Sequence, residues 1–219
     1  MSQVNARLVY RNAYNAMVAA GVDPKKAVLS QSYLRLEVAA STTKTNYQFG
    51  VLINDQPQGN PIRQTEQRLN LQDAFFVASV QLFVGLASSG TATDFALTSY
   101  PSPTVFTATA AAALYNLYNG YLSLTVNNSV ITPSWDLYRH LEINQTQQTV
   151  TPIVSGTVLN QISGLTAGSC ACEPNWVLIG SKNNTLQINL PAAISTVTST
   201  TVLVLILRGV LAQNCTVVS

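Results

Sequence analysis

Residues 65–84, TEQRLNLQDAFFVASVQLFV, constrain the fold of this chain more than any other stretch. The second half of the stretch carries no charge, and apolar residues occupy both of its period-2 sets. Phe75 and Val77 fall on one face of an extended chain, and Phe76 and Leu82 fall on the other. A strand that is apolar on both faces has to be covered on both faces. The stretch therefore predicts a central β-strand around which the rest of the chain is arranged.

The other extended segments predict a sandwich. Residues 200–212 are again apolar at both parities, whereas residues 32–38 alternate between apolar and polar. We expect a hairpin at residues 121–132, where Asn127-Asn128 suits a type I′ turn, and Pro133 is expected to end it. A second hairpin is expected at 175–190. The total is eight to ten strands in a mainly β fold, a β-sandwich or jelly roll.

Helices are expected only at the N-terminus and as one insertion. Residues 4–20 are rich in alanine and end at Gly21, a residue that commonly terminates a helix. Asp23-Pro24 resembles a helix start and predicts a second short helix at residues 24–29. We therefore divide the chain into an N-terminal helical arm, 1–31, and a single β-rich domain, 32–219. A short inserted helix is predicted near 108–119.

The composition indicates a folded chain with an unusually neutral exterior. Charged residues make up 9% of the chain, against roughly 25% in average domains, while 47% of residues are apolar. Neutral polar residues, mainly Thr, Ser, Asn and Gln, must then cover much of the surface, and such a surface does little to keep copies apart. This favours a protein that functions in an assembly. A secreted β-domain with a Thr- and Asn-rich exterior is the alternative.

The basic residues concentrate near the N-terminus. Residues 1–36 contain five cations against one acid, a net charge of +4, and the remaining residues have a net charge of −2. Arg7, Arg11, Lys25 and Lys26 are the candidates for contact with a neighbouring subunit or, non-specifically, with packaged nucleic acid. Ordinary solvated helix faces would show the same residues.

The residue types of a Ser/His/Asp catalytic triad occur near the single histidine. Asp136 precedes His140 by four residues and Ser134 is close, but the sequence has no G-x-S-x-G context for a nucleophile. The alternative is a polar corner in which Asp136 caps backbone donors or pairs with Arg139. We favour the corner and expect no enzymatic activity.

The sequence also predicts no cofactor and no metal site. Cys170 and Cys172 are too close for the usual zinc-pair spacing, and Cys215 is distant. Three cysteines cannot form a complete set of disulfides, which suggests folding in a reducing compartment, and the start of the chain does not resemble a signal peptide. The longest apolar run, residues 202–207, is far shorter than the roughly 20 residues of a membrane span.

Two segments resemble a known class of proteins: TEQRLNLQDAFFVASVQLFVG at residues 65–85 and ALYNLYNGYLSLTVNNSVITPSWDLYRH at residues 113–140. They resemble structural proteins of bacteriophage particles, in particular capsid-type proteins of phages that infect Bacteroidetes-like hosts. The resemblance implies a β-rich virion subunit that builds a shell. It carries no catalytic signature and assigns no role to any residue.

Two functions follow as hypotheses. The first is a capsid subunit, made in the host cytoplasm and located in the virion, whose partners are copies of itself, other virion proteins and packaged nucleic acid. In this hypothesis the basic arm would clamp a neighbour or meet nucleic acid, and the polar loops at 54–64 and 85–100 would contact other subunits. The second is a β-sandwich binding module that recognises carbohydrate or a host surface through exposed Tyr and Trp residues.

Overall fold

A computed structural model describes residues 3–53, 68–87, 97–102, 105–143, 167–197 and 200–217. The described chain is mainly β. It contains helices α1 (Gln3–Ala19) and α2 (Ala108–Leu114), and 3₁₀ turns at Tyr115–Asn119 and Tyr138–His140. The strands are β1 (Val22–Asp23), β2 (Val28–Ala39), β3 (Asn46–Ile53), β4 (Arg68–Leu69), β5 (Ala74–Leu86), β6 (Leu97–Thr98), β7 (Tyr121–Val126), β8 (Ser129–Asp136), β9 (Cys170–Ile179), β10 (Asn184–Asn189), β11 (Thr201–Gln213) and β12 (Thr216–Val217).

The eight long strands form a jelly roll. One sheet has the order β2-β11-β5, with β6 and β9 both pairing to β5, and the other has the order β4-β3-β10-β7-β8. Four antiparallel pairs are nested along the chain: β2 with β11, β3 with β10, β5 with β9, and β7 with β8. This nesting, wrapped into two facing sheets, is jelly-roll topology. The prediction of a mainly β sandwich or jelly roll is confirmed.

The two strands that are apolar on both faces occupy the interior of their sheet. β11 lies between β2 and β5, and β5 lies between β11 and its partners β6 and β9. Leu205 and Leu82 belong to the main core between the sheets, whereas Val204 and Phe83 belong to a separate buried cluster on the opposite face. Both faces of β5 are buried, as predicted for the uncharged part of the stretch 65–84, whereas Arg68–Leu69 of that stretch form β4 in the other sheet.

The N-terminal helix packs against the outer face of the β2-β11-β5 sheet. Its buried residues Ala13 and Met17 share a cluster with Phe76, Val210 and Ile179 of that sheet. The helix ends as predicted near Gly21, whose φ of 79° is left-handed. The arm therefore lies on its own β-sheet. In the described ranges, no helix combines the length and apolar character needed to cross a membrane.

The predicted insertion is also confirmed. The side chain of Thr107 caps α2 by accepting a hydrogen bond from the N–H of Ala110, and the helix continues into the 3₁₀ turn that ends before Gly120. A Cβ on Gly120 would lie 2.5 Å from the carbonyl oxygen of Asn189, so this position requires glycine. The predicted turn at Asn127 and Asn128 is present, with φ values of 45° and 66°.

The second N-terminal helix, predicted at residues 24–29, is wrong. Asp23 ends β1, its Oδ1 accepts a hydrogen bond from the N–H of Lys25 at 3.0 Å, and β2 already begins at Val28. Val28 and Leu29 pair with the end of β11. The strand forms because β11 extends far enough to supply its hydrogen-bonding partner, and a local helix signal cannot reveal a partner almost two hundred residues away.

Two further strand predictions are wrong. The segments at 175–190 do not form a hairpin, because β9 pairs with β5 whereas β10 pairs with β3 and β7 in the other sheet. The turn between them crosses from one sheet to the other. Pro133 does not end β8, which continues to Asp136. β8 is an edge strand, so the backbone donor that proline lacks need not serve a second neighbour.

Candidate functional site

The single histidine lies in a closed network at the end of β8. His140 is 0% exposed, and its Nε2 lies 2.9 Å from Nε1 of Trp135, which can only donate. Its Nδ1 lies 2.8 Å from the carbonyl oxygen of Gly168, which can only accept. The two partners fix one neutral tautomer, with the proton on Nδ1. Burial lowers the pKa of His140, the Gly168 carbonyl opposes this shift, and Arg139 adds to it.

This network does not assemble a Ser/His/Asp triad. Neither ring nitrogen of His140 is left to take a proton from Ser134, which is exposed. Asp136 instead accepts a hydrogen bond from the N–H of Tyr138 at 3.0 Å. The guanidinium of Arg139 lies 4.7 Å from the centroid of the Trp135 ring. The predicted polar corner with a capping Asp136 is confirmed.

The corner is tied to the start of β9 by more than the histidine. Glu142 Oε2 accepts a hydrogen bond from the N–H of Gly168, and Cys170 Sγ lies 3.3 Å from the carbonyl oxygen of Arg139. A Cβ on Gly168 would overlap the carbonyl oxygen of His140, so the close approach depends on glycine. These contacts hold the turn that follows β8 against the start of β9.

The exposed side chains at this corner include apolar and acidic groups. Tyr138 is 63% exposed and Ile143 is 53% exposed, and the acidic residues Asp136 and Glu142 of the same segment are also exposed. We call these four residues the acidic corner. The sequence predicted a polar corner around His140 but not this surface, because residues 136–143 have no strand or helix periodicity.

The predicted basic residues that the structure describes lie on α1 and in the turn between β1 and β2. Arg11 is exposed on α1, and Lys25 and Lys26 are exposed in the turn between β1 and β2. The side chain of Arg7 lies outside the described residues. Leu8 and Val18 are 56% and 50% exposed on the helix face that carries Arg11. We call Leu8, Arg11, Asn15 and Val18 the outer face of α1.

A further exposed apolar patch lies on edge strand β8. Val130 and Ile131 are 61% and 50% exposed beside the Asn127-Asn128 turn. The adjacent Val130 and Ile131 were a usable signal in the sequence, since a half-buried strand would alternate between apolar and polar residues. The loops at 54–64 and most of 85–100, predicted to contact other subunits, lie outside the described residues.

The cysteines are free thiols. Cys172 and Cys215 are buried, and Cys170 is half-buried. Burial raises the pKa of all three thiols, that of Cys172 to about 12, so none is activated as a nucleophile. The part of the chain that the structure describes contains no cluster of His, Cys, Asp and Glu suited to hold a metal ion.

Comparisons with protein-family models, curated proteins and solved structures gave no match to this chain.

Proposed function

We propose that the chain is a virion structural protein, a capsid subunit of a bacteriophage that is made in the host cytoplasm and assembles with copies of itself into a shell. One observation carries this proposal. Among the described residues, exposed large apolar side chains number ten and exposed charged side chains number eight. The apolar ones are Leu8, Val18, Val28, Tyr33, Leu71, Tyr121, Val130, Ile131, Tyr138 and Ile143.

An exterior of this kind lacks what normally keeps monomers apart. Single exposed apolar side chains are ordinary on protein surfaces. Here, however, few exposed charges accompany them to repel a second copy of the chain. Burying a half-exposed valine or isoleucine gains about 1 kcal/mol, so one patch gives a weak contact. A subunit that uses several patches at once, each against a different neighbour, gains avidity from the closed assembly. Weak and repeated contacts of this type favour a shell.

The fold and the sequence resemblance also support the proposal. Jelly rolls form viral capsid proteins, but they also form lectin domains and cupins, so the topology alone does not select a function. The two segments that resemble phage structural proteins include β5 and the β7–β8 hairpin, which carries the exposed Val130 and Ile131. Other virion proteins and packaged nucleic acid are the further partners that we propose.

Electron microscopy and light scattering of the purified full chain test the proposal. We expect closed particles of uniform diameter above a critical concentration. A chain that stays monomeric and binds oligosaccharides on a glycan array would contradict it and would favour the carbohydrate-binding alternative.

A double variant, Val130→Thr with Ile131→Thr, keeps the β-branched shape of both side chains but makes them polar. We expect the thermal midpoint of the dissociated chain to stay within about 2 °C, because both side chains are exposed. The critical concentration should rise about tenfold, the equivalent of about 1.4 kcal/mol of lost burial. An unchanged critical concentration would exclude this patch from the contacts.

A further inference from the structure

The outer face of α1 is a helix surface without a partner inside the described chain. Leu8, Arg11, Asn15 and Val18 follow one another at spacings of three and four residues, and all four are exposed. The opposite face of the helix is already used, since Ala13 and Met17 are fully buried against the sheet. The helix contains no acidic residue, and Lys25 and Lys26 add positive charge beyond its C-terminal end. This face is therefore apolar at its two ends and cationic between them.

The acidic corner has the complementary character. It combines two exposed acidic residues, Asp136 and Glu142, with the exposed side chains of Tyr138 and Ile143 in the same segment. The one cation in this segment, Arg139, lies over the ring of Trp135. Hydrogen bonds to the N–H groups of Tyr138 and Gly168 hold the two carboxylates in place. A fixed pair of charges loses less entropy on docking than a mobile pair.

The two surfaces belong to opposite ends of strand β9. The cluster under α1 includes Ile179, which pairs with Ala74 of β5. The turn that carries the acidic corner contacts Cys170 through the carbonyl oxygen of Arg139, and Cys170 pairs with Val80. Six positions along β5 separate these two pairs, a distance of about 20 Å. At this separation the two surfaces do not contact each other within one chain. Each is therefore free to bind the complementary surface of a second copy.

We propose that the outer face of α1 of one copy docks on the acidic corner of the next copy. The two patches differ, so the contact is heterologous, and a heterologous contact closes into a ring when the rotation between copies allows it. This inference rests on the proposed function, because it names the surfaces by which shell subunits recognise each other. The helix contributes Leu8 and Val18 as apolar anchors, and Arg11 selects the register by its charge.

A charge-swap experiment tests the contact. Arg11→Glu places an acid opposite the two carboxylates, and Tyr138→Lys places a cation opposite Arg11. Both side chains are exposed, so we expect the dissociated variants to retain the wild-type circular dichroism spectrum and thermal midpoint. Each single variant should raise the critical concentration for assembly about tenfold, since attraction becomes repulsion in every repeated contact. The double variant should have a lower critical concentration than either single variant, because the new lysine faces the new glutamate, although Asp136 and Glu142 still repel that glutamate.

Lys44→Glu is the matched control. Lys44 is exposed in the turn between β2 and β3, so this substitution changes the net charge as Arg11→Glu does, but at a different surface. We expect it to leave the critical concentration within about twofold of the wild-type value. The elevated critical concentration of Arg11→Glu should also fall when salt is added, because salt screens the repulsion between exposed charges.

The outcomes separate the contact from the function. If wild-type particles form and Arg11→Glu behaves like Lys44→Glu, or the double variant is no better than the single variants, the contact is wrong and the capsid proposal stands. If Arg11→Glu particles form normally but retain less nucleic acid, the outer face of α1 binds nucleic acid and the contact is again wrong. A wild-type chain that stays monomeric at every concentration overturns both proposals.

Discussion

Replacing His140 with leucine removes two of the hydrogen bonds that hold the corner after β8. The Nε1–H of Trp135 would lose its acceptor, and the carbonyl of Gly168 would lose its donor. His140 is 0% exposed, so water cannot replace the lost partners without opening the structure. A buried polar group left without a partner costs about 1–3 kcal/mol. We therefore expect His140→Leu to lower the free energy of unfolding by about 2–6 kcal/mol, with little cavity formed because leucine is similar in size.

The same residue predicts a pH dependence with a defined sign. Burial lowers the pKa of His140 below its ordinary value of 6.5, so between the two pKa values the unfolded chain binds the proton and the folded chain does not. This contribution to stability is complete above pH 6.5 and is lost as the pH falls through the lower folded pKa. The slope for one proton approaches about 1.4 kcal/mol per pH unit.

Urea unfolding, followed by tryptophan fluorescence at a concentration where the chain is monomeric, measures both effects. The wild type should lose stability between pH 7 and pH 5, a range above the ordinary pKa values of Asp and Glu at about 4. The His140→Leu variant should be less stable at pH 7 and should lack this dependence. The reasoning fails if the variant unfolds at the wild-type urea midpoint, or if it keeps the wild-type pH dependence.

Three further predictions concern single side chains. Tyr118 is buried and donates a hydrogen bond to the carbonyl oxygen of Ser99 at 3.0 Å. Tyr118→Phe should therefore lower the unfolding free energy by about 1–3 kcal/mol, whereas Tyr121→Phe, at an exposed position, should change it by less than about 0.5 kcal/mol. Equal effects of the two variants in urea unfolding would contradict this. Cys172 is buried, and burial raises its pKa to about 12. Ellman's reagent at pH 8 should therefore modify Cys172 about a hundredfold more slowly in the folded chain than in urea. Equal rates would show that the Cys172 thiol is accessible in the folded chain. Asn128 has a φ of 66°. Asn128→Val should therefore lower the thermal midpoint by an amount equivalent to about 1–3 kcal/mol, while Asn128→Gly should not lower it. An unchanged thermal midpoint in Asn128→Val would exclude the left-handed turn.

The parts of the fold that could be predicted from the sequence are those whose cause is local. The strands at the centre of one sheet are apolar on both faces within a few residues, and the asparagine turn and the inserted helix carry their signals in adjacent residues. Hydrophobic periodicity and turn chemistry are sufficient there. The predictions failed where the partner is distant. Val28 is a strand residue because it pairs with Gln213, and β9 and β10 separate because each finds its partners in a different sheet.

In the candidate site, too, features with a local cause could be predicted from the sequence and features that depend on distant residues could not. A polar corner at residues 135–140, with Asp136 as a cap, could be predicted from neighbouring residues, but its closure depends on Gly168, 28 residues beyond His140. The exposed faces of α1 and of the acidic corner depend on which sides the sheet already covers. Their complementarity becomes visible only when both positions in the fold are known, because no sequence pattern links residues 8–18 with residues 136–143.

Sedimentation velocity of the wild-type chain over a wide range of concentrations tests the central claim most directly. A shell subunit with many weak and identical contacts should sediment as a monomer at low concentration and convert to one large species of narrow size distribution, with few intermediates, above a threshold. A single monomer peak at every concentration would contradict the account. A broad and continuous series of aggregates would contradict it equally.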